Sequence, residues 1–320
     1  MSDFLVIGEC VADIVRTPGA PDVTHPGGSP ANVAYGLARL GHRARLLSQL
    51  GQDAAGALIR EHLESAGVEL LADGRPGLAT PTAVVTLDAR GAASYDFAIG
   101  WTLRPVEPPA DGVRHVHLGS IGAVAAPGAA AAQGVAERMR ATATVSYDPN
   151  VRPALMGERA AALAAVERCV ALSDVVKASD EDLAWLHPGE APGEVARRWL
   201  ALGPAVVFVT LGARGADAFT AAGRVTAAPV PVEVADTVGA GDAFMAAVLD
   251  ALAALGLTGA AARPLLPARL DGPALAEVLR RAGTAAALTV SRAGARPPDA
   301  AELDAAVLRG AVRSSGPAGR

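Results

Sequence analysis

Residues 4–7 are an unbroken apolar run that ends at Gly8, the pattern of a strand buried on both faces. Apolar positions at helical spacing follow over 31–40 and stop at Gly41, and 44–49 reads as the next strand. A helix is predicted over 54–66, capped by Gly67. The pattern then becomes β-like across 83–87 and 94–97, with Gly91 in the turn between them. No helix separates these two runs, so they predict a hairpin. From residue 110 strands and helices alternate. Strands are expected at 116–118, 144–148, 175–177 and 205–210, and helices at 129–140, 159–171, 180–186 and 195–202. Residues 216–219 and 224–227 predict a second hairpin across Gly223, and 241–255 and 274–290 two long helices.

Strands alternating with helices imply an α/β fold in which a mostly parallel sheet is covered on both faces. The strand-like residues of about 10–17, with the hairpin inside about 80–100, predict a small β lid over one edge of that sheet. The expected organisation is a single α/β domain over 1–310. The polar, Gly- and Pro-containing residues 311–320 are expected to be a disordered tail.

Composition narrows the function classes. With 320 residues, half of them hydrophobic, the chain can bury a large core. A net charge of −5 argues against electrostatic capture of nucleic acid or of an acidic membrane. Cys10 and Cys169 lie far apart and form no CxxC pair, so a metal cluster or disulfide framework is not expected. No secretion signal and no apolar run of membrane-spanning length is evident, and a cytoplasmic location is expected. Lys177 is the sole lysine, and Asn32 and Asn150 are the sole asparagines. Residue types used so rarely are candidates for chemistry that the abundant types cannot supply.

The most informative segment is Asp236-Thr237-Val238-Gly239-Ala240-Gly241-Asp242. Its glycines let the backbone come close to a ligand and point successive N–H groups into one space. A helix starts immediately afterwards, so Gly239, Ala240 and Gly241 form a candidate anion hole for a transferring phosphoryl group. Asp242, at the helix start, can accept a proton from a substrate hydroxyl, or simply cap the helix. Gly27-Gly28-Ser29-Pro30-Ala31-Asn32 opens an earlier helix. Gly28 and Asn32 supply the mixed donors and acceptors that a polyhydroxyl ligand requires, or serve helix entry alone.

The two segments, about 210 residues apart, resemble the two signatures of the ribokinase-like (PfkB) carbohydrate kinases. The resemblance implies a ribokinase-like three-layer fold and an ATP-dependent sugar kinase, with ATP and Mg²⁺ as cofactors and K⁺ as a further candidate. It assigns the base to Asp242 and sugar hydroxyls to Asp13. It assigns nucleotide contacts to Thr210, Gly212 and Gly215, and groups Lys177 and Ser179 with them. The relatives' Asn-x-x-Glu magnesium motif becomes Ser179 and Asp182 here, which shortens the acid. For a monovalent cation the implied ligands are Asp236, Val238 and Gly294. The sugar is the small-molecule partner, and a homodimer through the lid is a further implication.

Asp148-Pro149-Asn150-Val151-Arg152 resembles the corresponding segment of fructokinases and 2-keto-3-deoxygluconate kinases. Arg152 can hold a substrate carboxylate bidentately, which suits the keto-deoxy acid, or form a structural ion pair. Tyr95, Phe97 and Trp101 can pack on a sugar face or on the lid's own core. Fructose leads as substrate. The other readings are 2-keto-3-deoxygluconate, a nucleoside, or a non-catalytic sugar or nucleotide sensor, which would have no need of Asp242.

Overall fold

Short strands that are apolar throughout must be covered on both faces, and the chain meets that need by interleaving them with helices. The computed structural model describes residues 2–17, 19–87, 93–109 and 112–314; the side chains at 87, 93–95 and 311–314 lie outside that description. The N-terminal part runs β1 (Asp3–Ile7), β2 (Val11–Arg16), β3 (Val23–Gly27), α1 (Ser29–Arg39) and β4 (Arg43–Gln49). After α2 (Ala54–Ser65) come β5 (Glu69–Asp73), β6 (Thr82–Leu87) and β7 (Ala93–Ala98). The middle is β8 (His115–Gly119), α3 (Gly128–Met139), β9 (Thr144–Asp148), α4 (Pro153–Met156) and α5 (Arg159–Leu172). It continues with β10 (Val175–Ser179), α6 (Asp180–Leu186), α7 (Pro192–Leu200), β11 (Val206–Thr210), β12 (Ala216–Thr220) and β13 (Gly223–Ala227). The last elements are α8 (Ala240–Ala254), α9 (Leu266–Arg269), α10 (Gly272–Val290) and α11 (Ala300–Ser314).

Among the described residues these strands build two sheets. The large one has the order β13-β12-β11-β10-β9-β8-β1-β4-β5, and the small one β3-β2-β6-β7. The large sheet is parallel from β11 to β5, and β12 and β13 extend it antiparallel. Alternation along each strand sends its side chains into two separate cores. Phe4 and Val6 join one buried cluster with α1, α8 and α10; Leu5 and Ile7 join the other with α3, α5 and α7. In β11, Phe208 goes to the first and Val207 and Val209 to the second. This is the expected three-layer arrangement. Cys10 and Cys169 are free and buried, one in each cluster. No helix among the described residues is long and apolar enough to cross a membrane.

In the small sheet β6 and β7 pair antiparallel as the predicted hairpin, and Gly91 lies outside the described residues. β2 pairs with β6 parallel and with β3 antiparallel. The pattern reading did not anticipate β3, whose sequence VTHPG carries a proline. Proline is tolerated there because β3 is an edge strand, where a missing N–H costs no ladder bond. α11 was also not anticipated, and it takes in the first four residues of the expected tail; residues 315–320 lie outside the described residues.

Candidate active site

The carboxyl ends of parallel strands leave a crevice where strand order reverses, and β1 lies at such a point, between β8 and β4. A cleft of about 630 Å³ opens there. Its floor comes from Glu9 after β1, Ser120 after β8, Asn150–Arg152 after β9 and Ser179 at the end of β10. Val11, Asp13, Ala83 and Phe97 of the small sheet roof it, and the first turn of α8 closes one end. The small sheet therefore stands where a lid was expected.

Helices α1 and α8 bring their N-termini together through small residues: a Cβ placed on Gly36 would lie 3.0 Å from the Ala246 Cβ. Asp242, buried in the first turn of α8, consequently faces α1. Its carboxylate accepts a hydrogen bond from Ser29 Oγ at 2.6 Å and one from Asn32 Nδ2 at 2.8 Å. Asn32, expected to meet substrate, is thus spent at least partly on orienting Asp242. Ser29 was not singled out in the sequence, although it sits at the first position of α1 beside the glycine pair. Gly239 caps α8 in the left-handed region, with φ 76°.

The glycine pair serves neighbours as well as ligand. A Cβ on Gly27 would fall 2.1 Å from Asp13 Oδ2, and one on Gly28 would fall 2.6 Å from the Glu9 carbonyl oxygen. Gly27 thereby makes room for Asp13, which lies opposite His25 in the β2–β3 register. Burial raises the Asp13 carboxyl to about 6 against the pull of His25 and Arg152.

Glu9 is a cleft residue that sequence reading passed over. It is almost fully buried, and its Oε2 accepts the Gly122 N–H at 2.8 Å. Burial lifts its carboxyl from 4.5 to about 7, against the opposing pull of Ser120 and backbone N–H groups. Between those pH values the folded chain holds a proton that the unfolded chain has released, so stability falls as pH rises through the window and stays lower above it. Glu9→Gln cannot ionise and still accepts from Gly122. It is expected to be more stable than the wild type at pH 8, by on the order of 2 kcal/mol, with the gain vanishing below about pH 4.5. Urea unfolding at the two pH values checks this.

Ser179 and Asp182 form a capping box at the start of α6. Both Asp182 oxygens are committed to backbone: Oδ1 accepts from Val151 N at 2.7 Å and Oδ2 from Ser179 N at 2.8 Å. The shortened acid therefore fastens the end of β10 to the turn after β9. Glu181, next to it, is exposed and lines the cleft. No group of three or more His, Cys, Asp or Glu residues among the described residues is arranged to hold a metal. A divalent ion carried on nucleotide phosphates fits this donor set, with Glu181 and Asp242 among the carboxylates that line the cleft.

Asp236 accepts the N–H groups of Val238 at 3.0 Å and Gly294 at 2.9 Å, and these hold its carboxyl below the ordinary range. It thus ties together the two segments named for a monovalent cation. Asp13, Gly28, Asn32, Arg152, Ser179, Val238, Gly239, Ala240, Gly241 and Asp242 all line the cleft. Thr210, Gly212 and Gly215 lie outside that lining, at the end of β11, where Thr210 is in register with Ser179. Lys177 lies beneath the cleft, 4% exposed. The Tyr95 side chain lies outside the described residues. Phe97 faces the cleft, whereas Trp101 is buried in the core shared with α3. A Cβ on Gly128 would come within 2.5 Å of the Trp101 ring, which shows how closely that helix packs on it.

The sequence profile described as pfkB family carbohydrate kinase matches residues 1–301. The chain is 32% identical over 234 residues to a fructokinase of Rhizobium leguminosarum bv. trifolii, covering 70% of this chain and 71% of that one. Among solved structures it is similar to fructokinase with bound ATP from Xylella fastidiosa, with a TM-score of 0.79 at 26% identity over 97% of this chain and 99% of the other. It is also similar to fructokinase from Vibrio cholerae O395 bound to fructose, ADP and calcium, with a TM-score of 0.77 at 26% identity over 97% and 98%.

Proposed function

Because the chain belongs to the pfkB family of carbohydrate kinases, we propose that it is a fructokinase, moving the γ-phosphoryl group of ATP to a primary hydroxyl of fructose. The observation that carries this reading is the Asp242 carboxylate, oriented by Ser29 and Asn32 in the same cleft as Asp13. Asp13 accepts hydrogen bonds from sugar hydroxyls. Asp242 takes the proton of the attacking hydroxyl. The Gly239–Gly241 amides, at the positive end of α8, stabilise charge on the transferring group. A divalent metal supplies charge neutralisation on the phosphates. The nucleotide reaches the cleft from the β10–β11 side, where Thr210 stands in register with Ser179 and the turn holding Gly212 and Gly215 follows. A homodimer through the small sheet belongs to the same reading; β3, an edge of that sheet, carries the half-exposed Val23.

Coupled ADP release with ATP, Mg²⁺ and K⁺ tests the proposal against fructose, 2-keto-3-deoxygluconate, ribose and adenosine. Turnover preferring fructose is the expected result, and absence of turnover on fructose overturns it.

A second reading rests on Arg152. It lines the cleft and forms no ion pair among the described residues; its Nη1 donates only to the Val151 and Asn150 carbonyls, at 2.9 and 3.3 Å. A substrate carboxylate would satisfy that guanidinium, which favours 2-keto-3-deoxygluconate. Arg152→Ala separates the two. It should cost about tenfold in KM or more for a carboxylate substrate, and much less for fructose.

A further inference from the structure

The second glycine at the entrance to α8 has no conformational reason to be glycine. Gly239 needs its φ of 76°, but Gly241 lies inside the first helical turn and is not among the glycines with positive φ. Glycine weakens a helix there relative to alanine. The space explains it. A Cβ on Gly241 would meet the Lys177 ammonium at 2.9 Å and the Lys177 Cε at 3.8 Å.

Lys177 is the chain's only lysine, and it is buried. Its Nζ donates to Asp148 Oδ2 at 2.8 Å, and Asp148 Oδ1 accepts the Asn150 N–H at 3.2 Å. The pair is therefore bonded to the turn after β9 and lies directly under the first turn of α8, two sides of the cleft. Burial works against the lysine charge, but Asp148, Asp182 and Asp242 outweigh it and hold the ammonium above the ordinary lysine range. Lys177 does not line the cleft, so its influence on a ligand passes through the helix turn above it.

We propose that Gly241 is glycine in order to admit the Lys177 ammonium beneath the anion hole, and that Lys177 is a positioning residue holding that turn and Asp242 in place for phosphoryl transfer. The inference rests on the kinase reading. The ammonium is the end of the Lys177–Asp148 pair nearer Gly241, so the positive end of this buried dipole adds to the potential of the α8 N-terminus, where it acts on charge developing above the turn.

The test compares four proteins: wild type, Gly241→Ala, Lys177→Met/Asp148→Asn, and the triple variant. Methionine ends near the Lys177 Cε position, and the side-chain amide introduced by Asp148→Asn still accepts from the Asn150 N–H. The double variant therefore removes both charges without leaving one unpaired. Gly241→Ala is expected to lower the urea midpoint in the wild-type background and to leave it level or raised in the charge-free background. The double variant is expected to unfold near the wild-type midpoint yet to lose at least about tenfold in kcat, with sugar KM little changed. A merely structural ion pair would not give that split. Wild-type kcat in the double variant, or an equal cost of Gly241→Ala in both backgrounds, overturns the inference. A wild-type protein that turns over no substrate instead overturns the kinase reading and the positioning role with it, while the unfolding cycle still reads the Lys177–Gly241 contact.

Discussion

Asp242→Asn is expected to lower kcat by about a thousandfold, with KM for ATP and sugar little changed. The substitution keeps shape and loses one function. An amide cannot take the hydroxyl proton, yet it can keep the local hydrogen bonds: its oxygen accepts from Asn32 Nδ2, and its NH₂ donates to Ser29 Oγ. The fold should therefore persist, and thermal unfolding should match the wild type within a few degrees. Steady-state kinetics with the preferred sugar make the measurement. A variant retaining more than about a tenth of wild-type kcat would show that the proton leaves by another route. Ser29→Ala and Asn32→Ala are the natural companions, since each removes one of the two bonds that orient the carboxylate.

Gly239→Ala should be nearly as damaging for a different reason. Gly239 is held at φ 76°, where an L side chain is strained by roughly 1–2 kcal/mol per residue. Its Cβ would also fall 2.6 Å from the Ala295 Cβ and 3.0 Å from the Ala295 Cα. The second contact is to backbone, so no rotamer change relieves it. The turn must move, carrying the amides of 239–241 with it, and a loss of about a hundredfold in kcat is expected. Stability should fall as well, by about 2 kcal/mol, from strain and overpacking together. Nucleotide affinity measured beside kcat checks the assignment. A fall in kcat larger than the fall in ATP binding marks an effect on transfer, and equal losses would move Gly239 from the anion hole to simple nucleotide binding.

These two glycines show how far the pattern could be read. The string from Asp236 to Asp242 points to an anion hole because amide direction and helix polarity are local properties of a short segment. It does not reveal that Gly239 is glycine for its backbone angle while Gly241 is glycine for the lysine beneath it. That lysine comes far earlier in the chain, and the contact exists only because β10 ends under α8. The second attachment of Asp182 was hidden in the same way. Ser179 and Asp182 have the spacing of a cap, but the bond from Val151 to Asp182 crosses between strand ends. The sequence left Trp101 open between a sugar face and the lid's own core, because an aromatic next to lid strands gives no sign of its direction. The helix over Gly128–Met139 draws it into the core.

Elements with a strong period, such as the apolar run at 4–7, the helix after Gly28 and the long helix after Gly239, were legible because strand and helix periodicity are set by backbone geometry alone. So were the α/β class, the lid hairpin and the position of the candidate base, each carried by a short continuous segment. Strand order, the parallel pairing of β2 with β6, and the meeting of Asp242 with Ser29 across 213 positions had no such local trace. They arise when two cores form on opposite faces of one sheet and bring helices α1 and α8 side by side. Packing couples residues through space, and a pattern read along the chain records only the face each residue will bury, not the neighbour it will bury it against.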